Sequence, residues 1–498
     1  MGNSLIDLRQ HPKLLPRILY ALCAAQPVLD ALSYWQAELG FTVIFYIRAL
    51  LLGLIALGGY LLSKKKPRYY ILFAVIGLFW AAHVFTCLKN GYSGWVEDLS
   101  NYIRVIGLPI TAFALISCLK AQSDCYNALL RGLFYAFCVI LLLELLALIT
   151  GTEPYTYSNK SIGLRGWSFW PNAQSAILSA LAPMAICYAL RKWLKKGWPV
   201  MLVSALALGM LFLHGTRLAY GCLLMTSVGL AITVLIRRLP KKFFVVFLLL
   251  TVIFAVLFPV SPMLNNQKKV AENAEAKQRL FLDLIKVGEQ QASIKQAQED
   301  NYTVSDYKLD RLEPAYSYYL PGLVDRFGME KVAEAYDYSE DISVIANERT
   351  WKLTYCKLLM DSSETRLSRF FGLNVSDMFS HNLSHDCEND FHAIYYLYGY
   401  VGLGITVLFL AYYVFLIVRA MIKDAKHTFS WRTACIGISF LALLAHAYCT
   451  CGVLRRSNTL FYLAAVLALI YCTLKEEDSH LLWLKRKHGS TEESDLGQ

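Results

Sequence analysis

No glycine-rich phosphate loop, no dinucleotide-binding glycine fingerprint and no zincin motif in a suitable context occurs in this chain, which argues against a bound nucleotide as its energy source. No internal repeat suggests a transporter built from inverted halves, and no basic stretch of the kind that grips nucleic acid is present. Charge is also scarce. Of 498 residues only 17% are charged against 56% hydrophobic, and the mean hydropathy is +0.41, which excludes an ordinary soluble globule. The 13 cysteines show no C-x-x-C spacing; most, such as Cys23, Cys87, Cys138 and Cys222, lie in apolar runs as small hydrophobes, and Cys449-x-Cys451 is weak support for a disulfide. The first residues lack a small-residue cleavage site after Arg9, Lys13 and Arg17, so the first apolar segment is expected to be retained. Ile6 stands where a myristoylation motif needs a hydroxyl.

What is present is a series of apolar runs, each long enough to cross roughly 30 Å of hydrocarbon. Twelve can be marked, near 14–35, 41–62, 69–88, 102–119, 126–150, 171–190, 198–214, 217–236, 243–259, 391–418, 431–450 and 457–473. The expected fold is an all-α membrane protein with about twelve transmembrane helices. A cytoplasmic amino terminus puts the basic connections inside, among them Lys64 to Arg68, Arg191 to Lys196, Arg237 to Lys242 and Arg419 to Arg432, as the positive-inside rule requires. The division that follows is a bundle of nine spans over 1–259, a large and mostly helical external loop over 260–389, three spans over 390–475 and a cytoplasmic tail over 476–498. Charge supports it: 260–389 holds 15 Lys and Arg against 21 Asp and Glu, leaving 33 against 16 elsewhere.

Within that loop, residues 266–300 have a helix-favouring Ala/Glu/Lys/Gln composition, with Leu280, Leu284, Ile285 and Val287 toward one side. A second helical pattern runs from Met329 to Met360, interrupted near Asp337 to Glu340. Residues 266–325 read as a solvated helical cap.

The chemistry concentrates in HNLSHDCENDFHAIYYLYGYVGLG, His381 to Gly404. Here His381, His385, His392, Asp386, Glu388 and Asp390 crowd the mouth of an apolar helix, where ionisable groups are by default a hypothesis about function. They also read as a zinc site through the three histidines, or as a solvated polar collar. Arginines recur on the expected outer side, at Arg104, Arg165, Arg217, Arg349, Arg455 and Arg456, and their planar forks suit phosphate or carboxylate oxygens. Arg217 reads otherwise as a snorkelling anchor, and Arg349 as an exposed charge. Inside the spans, Asp30 and Arg48 are expected to neutralise each other, and Glu144 serves equally as a structural hydrogen-bond anchor.

Four blocks give the chain its resemblance to the bacterial O-antigen ligase and O-antigen polymerase superfamily of membrane glycosyltransferases. They are Arg165-Gly-Trp-Ser-Phe-Trp-Pro-Asn-Ala, with Pro171 and Asn172; Gly215-Thr-Arg-Leu-Ala, with Arg217; Arg349-Thr-Trp followed by Arg369-Phe-Phe-Gly-Leu-Asn; and Glu388-Asn-Asp-Phe through Gly399-Tyr-Val-Gly-Leu, which ends in a G-x-x-G turn. Where ligases commonly place histidine this chain has Glu388, so it looks more like the polymerase-type members.

The resemblance implies a polyprenyl-diphosphate-linked glycan donor, a glycan or lipid-linked acceptor, a site on the extracytoplasmic face of the bacterial cytoplasmic membrane, and polysaccharide-assembly proteins as further partners. No cofactor or metal is called for. Arg217, Arg349 and Arg165 would stabilise the diphosphate as the glycosidic bond breaks. Glu388 would be the base for the acceptor hydroxyl, with His385 and then Asp390 as alternatives, and direct displacement would invert the anomeric centre. The rival class is a flippase for the same lipid-linked glycans, which should carry polar residues through the bilayer depth and pseudo-symmetric halves.

Overall fold

The computed structural model describes residues 13–41, 43–237, 239–380, 383–384 and 387–475. His381, His385, Asp386 and the tail 476–498 lie outside the described residues. In chain order the α-helices are α1 Leu14–Glu38, α2 Ile44–Leu62, α3 Lys66–Lys89, α4 Trp95–Ala121, α5 Asp124–Thr150, α6 Pro171–Trp193, α7 Trp198–His214, α8 Arg217–Ile236, α9 Lys241–Val256, α10 Pro262–Gln298, α11 Val304–Tyr319, α12 Pro321–Phe327, α13 Met329–Ala335, α14 Ile342–Ile345, α15 Glu348–Asp361, α16 Ser368–Phe371, α17 Asp390–Thr428, α18 Trp431–Cys449 and α19 Ser457–Leu474. A two-residue antiparallel pairing joins Phe379–Ser380 to Leu383–Ser384.

Each apolar run marked in the sequence coincides with a helix. Among the described residues nine of these helices, α2 to α6, α8 and α17 to α19, are long and apolar enough to cross a membrane. Of the other three, α7 and α9 are short, at 17 and 16 residues. Helix α1 has the length, 25 residues, but it carries Arg17, Gln26, Asp30 and Glu38 along it. Among the described residues no cysteine forms a disulfide, Cys449 and Cys451 included.

The described residues form two compact units, one within 1–76, 102–266 and 406–498, the other within 77–101 and 267–405. In the first, α6 is the central post. Nearly its whole surface is buried, against α5, α7, α8, α18 and α19. Its sequence explains this: Ala173, Ser175, Ala176, Ser179, Ala180 and Ala182 let neighbouring backbones come close, as small residues do where lipid offers no hydrophobic drive. Hydroxyls supply the polar glue, with Ser175 bonded to Thr216 at 2.8 Å, Ser439 donating to Ala180 O at 2.8 Å and Ser179 meeting His446 Nε2 at 3.2 Å. The break between α7 and α8 is local chemistry. Gly215 takes φ +79° and the Thr216 side chain caps α8 by accepting from Ala219 N.

In the second unit, α11 opens with a reciprocal capping box between Thr303 and Asp306, and Arg311 forks onto both oxygens of Glu340 at 2.8 and 2.9 Å while its Nε donates to Glu289 at 2.8 Å. Helix α10 has the expected period, but of the expected face only Ile285 is fully buried. Phe281, Ile285, Gly288 and Ala292 are buried, whereas Leu280 and Val287 are exposed. The stripe is set by the largest apolar side chain, Phe281, and by Gly288, where any Cβ would strike Arg311 backbone and bar α11 from crossing. The interruption near Asp337 is real. Asp337 and Tyr338 both take positive φ, ending α13 before α14 and α15.

Candidate functional site

The predicted residues fall in both units. In the second unit, Arg349 and Glu388 meet. Asn347 caps α15 by accepting from Arg349 N at 3.1 Å, which sets Arg349 and Lys352 three residues apart on one helical face. Arg349 Nε donates to Glu388 Oε2 at 3.0 Å and Lys352 Nζ to Glu388 Oε1 at 3.2 Å, so each carboxylate oxygen is held by a cation. Lys352 was not foreseen. A lysine on a helix of mixed charge carries no distinguishing signal in sequence.

Asn389 and Asp390 have a helical explanation as well. Asn389 Oδ1 accepts from the amides of Phe391 and His392 at 2.9 and 3.2 Å, making it the cap of α17, and acidic Asp390 is buried in the first turn, where the helix dipole favours negative charge. His392 is exposed. The predicted G-x-x-G turn lies within the span of α17, where Gly399 takes φ +65° and departs locally from helical backbone.

The first unit holds Arg165 and Arg217. Arg217 is exposed at the first position of α8. Arg165 lies in the loop before α6, in the lining of a void of about 10 Å³ that also includes Asp30, Glu144, Ser168 and Gln174. Glu144 accepts from Gln174 Nε2 at 3.0 Å, the anchor expected of it. Burial pushes the Arg165 guanidinium below its ordinary range, partly offset by Tyr34 and Glu153.

A larger cavity of about 240 Å³ in the same unit is lined by Asp30, Arg48, Arg104, Phe169, Trp170, Arg455, Arg456 and Asn458, among others. Four arginines thus face one aspartate, brought from α1, α2, α4, the loop before α6 and the α18–α19 connection. Arg48 Nη2 donates to Asp30 Oδ1 at 2.5 Å, with side chains only 12% and 10% exposed, the pairing that neutralising charges in adjacent spans required. The Arg456 guanidinium lies 4.2 Å from the Trp170 ring centroid, a cation–π contact that fixes its plane. The first turns of α6 and α19 begin at this lining without a side-chain cap, adding the positive ends of two helix dipoles. The volume is that of about eight waters, room enough for a two-phosphate group. Arg104, Arg455 and Arg456 were visible in sequence as outer-side arginines, but nothing in their spacing said that they share a hollow.

No curated protein matches the chain in sequence. A family model described as O-antigen ligase like membrane protein matches residues 13–477, nearly the whole of it. A polytopic helical chain with an arginine-lined hollow among its helices, matched over that length, belongs to the O-antigen ligase-like family of membrane proteins.

Proposed function

We propose that the protein transfers or polymerises an oligosaccharide carried on a polyprenyl diphosphate, at the outer face of the bacterial cytoplasmic membrane, with the diphosphate seated in the arginine cavity. Family membership supports a glycosyl-transferring role in cell-surface glycan assembly. The cavity carries the finer reading. Arg48, Arg104, Arg455 and Arg456 line one hollow of the helical bundle together with a single aspartate, and a lining with that excess of positive charge suits an anion. A diphosphate is such an anion, and guanidinium forks match its oxygens in pairs.

The donor brings its own leaving group. The protein's task is then to stabilise charge on the diphosphate as the glycosidic bond breaks, with no nucleotide and no metal at the reacting centre. Arg165 and Arg217 in the same unit, and Arg349 in the other, remain proposed contributors to that charge stabilisation. Glu388 is the proposed base for the acceptor hydroxyl, with His385 and Asp390 behind it, and displacement inverts the anomeric centre. A polymerase-type member with twelve spans, a cytoplasmic amino terminus and segment 260–389 outside completes the reading. The lipid bilayer, the acceptor glycan and polysaccharide-assembly proteins are its partners.

The test replaces Arg104 and Arg456 separately by alanine in cells lacking the native copy, and measures surface polysaccharide together with the amount of protein in the membrane. Each variant is expected to lower product formation by about 10²- to 10³-fold, the loss typical of one preorganised charge-stabilising donor, at normal protein level. Normal product from both variants would remove the cavity from the mechanism.

A further inference from the structure

The second unit contains a buried cluster of ligand-type side chains that glycosyl transfer does not use. His83 and Cys87 lie four residues apart on α3, and Asp98 is in the first turn of α4. All three are buried, with His83 and Asp98 at 0% and Cys87 at 1% exposure. One ligand atom from each lies within 4.8 Å of the others.

Hydrogen-bond accounting makes this more than proximity. His83 Nδ1 lies 2.6 Å from Phe371 O. A carbonyl oxygen only accepts, so Nδ1 carries the proton and a neutral ring presents the bare lone pair of Nε2 on its other side. That lone pair faces Asp98 Oδ2 at 2.9 Å. Cys87 Sγ lies 3.6 Å from the same Nε2. An imidazole nitrogen, a carboxylate oxygen and a sulfur converge, and the lone pair and the carboxylate need something positive between them. Asp98 Oδ1 is buried with no hydrogen-bond partner among the described residues, while Tyr92 OH donates to Oδ2 at 2.9 Å and orients the carboxylate.

We propose that His83, Cys87 and Asp98 form a binding site for one divalent transition-metal cation, zinc by ligand type, which ties α3, α4 and the Phe371 turn together. A nitrogen, a thiolate sulfur and a carboxylate oxygen are the donors that zinc takes. The bond from His83 Nδ1–H to a backbone carbonyl is the outer interaction that holds a ligating imidazole in the right tautomer. The geometry is close to that of the filled site. Tetrahedral bonds of about 2.05 Å to nitrogen and about 2.3 Å to sulfur place those atoms about 3.6 Å apart, the separation already present between Nε2 and Sγ. The Nε2 to Oδ2 gap of 2.9 Å needs to open to about 3.3 Å for the same bond lengths. On binding, the Cys87 thiol releases its proton to solvent. Asp98 Oδ1 or a water completes the coordination.

The test uses full-length protein in detergent, freed of any affinity tag, dialysed against zinc chloride and then against metal-free buffer. Metal content by mass spectrometry is expected at about one zinc per chain. Cys87→Ser and Asp98→Asn should each weaken zinc retention by tenfold or more. Cobalt substituted for zinc should give a sulfur-to-metal charge-transfer band that Cys87→Ser abolishes. A chelator should lower the melting temperature of the wild-type protein, a readout that does not depend on any variant folding. Folded wild-type protein that holds less than about a tenth of a zinc per chain and melts at the same temperature with and without chelator would overturn the proposal. The cluster would then be a His83–Asp98 ion pair closed by a proton.

Discussion

Gly372 and Gly399 sit at one backbone crossing, each leaving open the space that the chain just before the other fills. A Cβ added to Gly372 would run into the carbonyl of Leu397, and one added to Gly399 into the backbone of Phe370. Both take positive φ, +90° and +65°, and the crossing is tied by Leu373 N donating to Tyr396 O at 2.9 Å. The two glycine-bearing blocks singled out in the sequence, one after Arg369 and one after Tyr398, are thus two halves of one backbone contact.

Alanine at either position is therefore expected to do more than its size suggests. It adds overlap with backbone, which cannot step aside, to the cost of a left-handed conformation. Gly372→Ala and Gly399→Ala should each destabilise by about 2–4 kcal/mol, measured by thermal unfolding in detergent, and the double variant by less than the sum because both disrupt the same crossing. Unchanged melting in both single variants would mean that the crossing is looser than it stands here.

Asp30 and Arg48 make a second case, in the other unit. Their bond joins α1 to α2 beside the arginine cavity, and Asn458 is a further hydrogen-bond partner of Asp30. Asp30→Asn leaves a guanidinium uncompensated and should cost about 3–5 kcal/mol, whereas Asp30→Asn with Arg48→Met removes both charges and should recover most of it. The melting temperatures of the two variants decide this. If the double variant is as unstable as the single one, the pair is not what holds Arg48 in place.

These two relationships were legible to different degrees, for physical reasons. Asp30 and Arg48 announce themselves because they are charges in neighbouring apolar runs, and the bilayer leaves them little choice but each other. The helices were legible for the same reason, since hydropathy marks any long apolar run, and Gly215 with Thr216 marks the stop between α7 and α8. The glycine crossing was half visible, because the sequence flags Gly372 and Gly399 but not their contact. The buried face of α10 was misplaced by one residue, since which of Leu280 and Phe281 turns inward depends on what α11 brings against it. The arginine cavity was least legible. Its lining comes from elements that span positions 30 to 458, and no local pattern brings them together. The H-x-x-x-C pair of α3 likewise hides in an apolar run until Asp98 arrives from α4.

Glu388 and Lys352 offer a pH-dependent test of the second unit. Lys352 Nζ bonds Glu348 Oε1 at 2.5 Å and Glu388 Oε1 at 3.2 Å. Burial works against its charge, but the two carboxylates outweigh that and hold the ammonium above the ordinary lysine range. A raised value in the folded state means that the stabilisation is whole below the unfolded lysine value of about 10.4 and disappears as pH climbs through the folded one. The melting difference between wild type and Lys352→Met should accordingly stay constant from about pH 7 to 9 and close above about 10.4. Glu388→Gln removes one of the two carboxylates, so the closure should move to lower pH. At neutral pH that same variant should lose less than about 1 kcal/mol of stability, because its other partner, Arg349, has a side chain 60% exposed and screened by water. Glycosyl transfer should nevertheless fall by about 10²- to 10⁴-fold, the contribution of a general base. Stability and activity falling together would make Glu388 a structural tie between α15 and α17, and full activity at normal stability would move the base elsewhere.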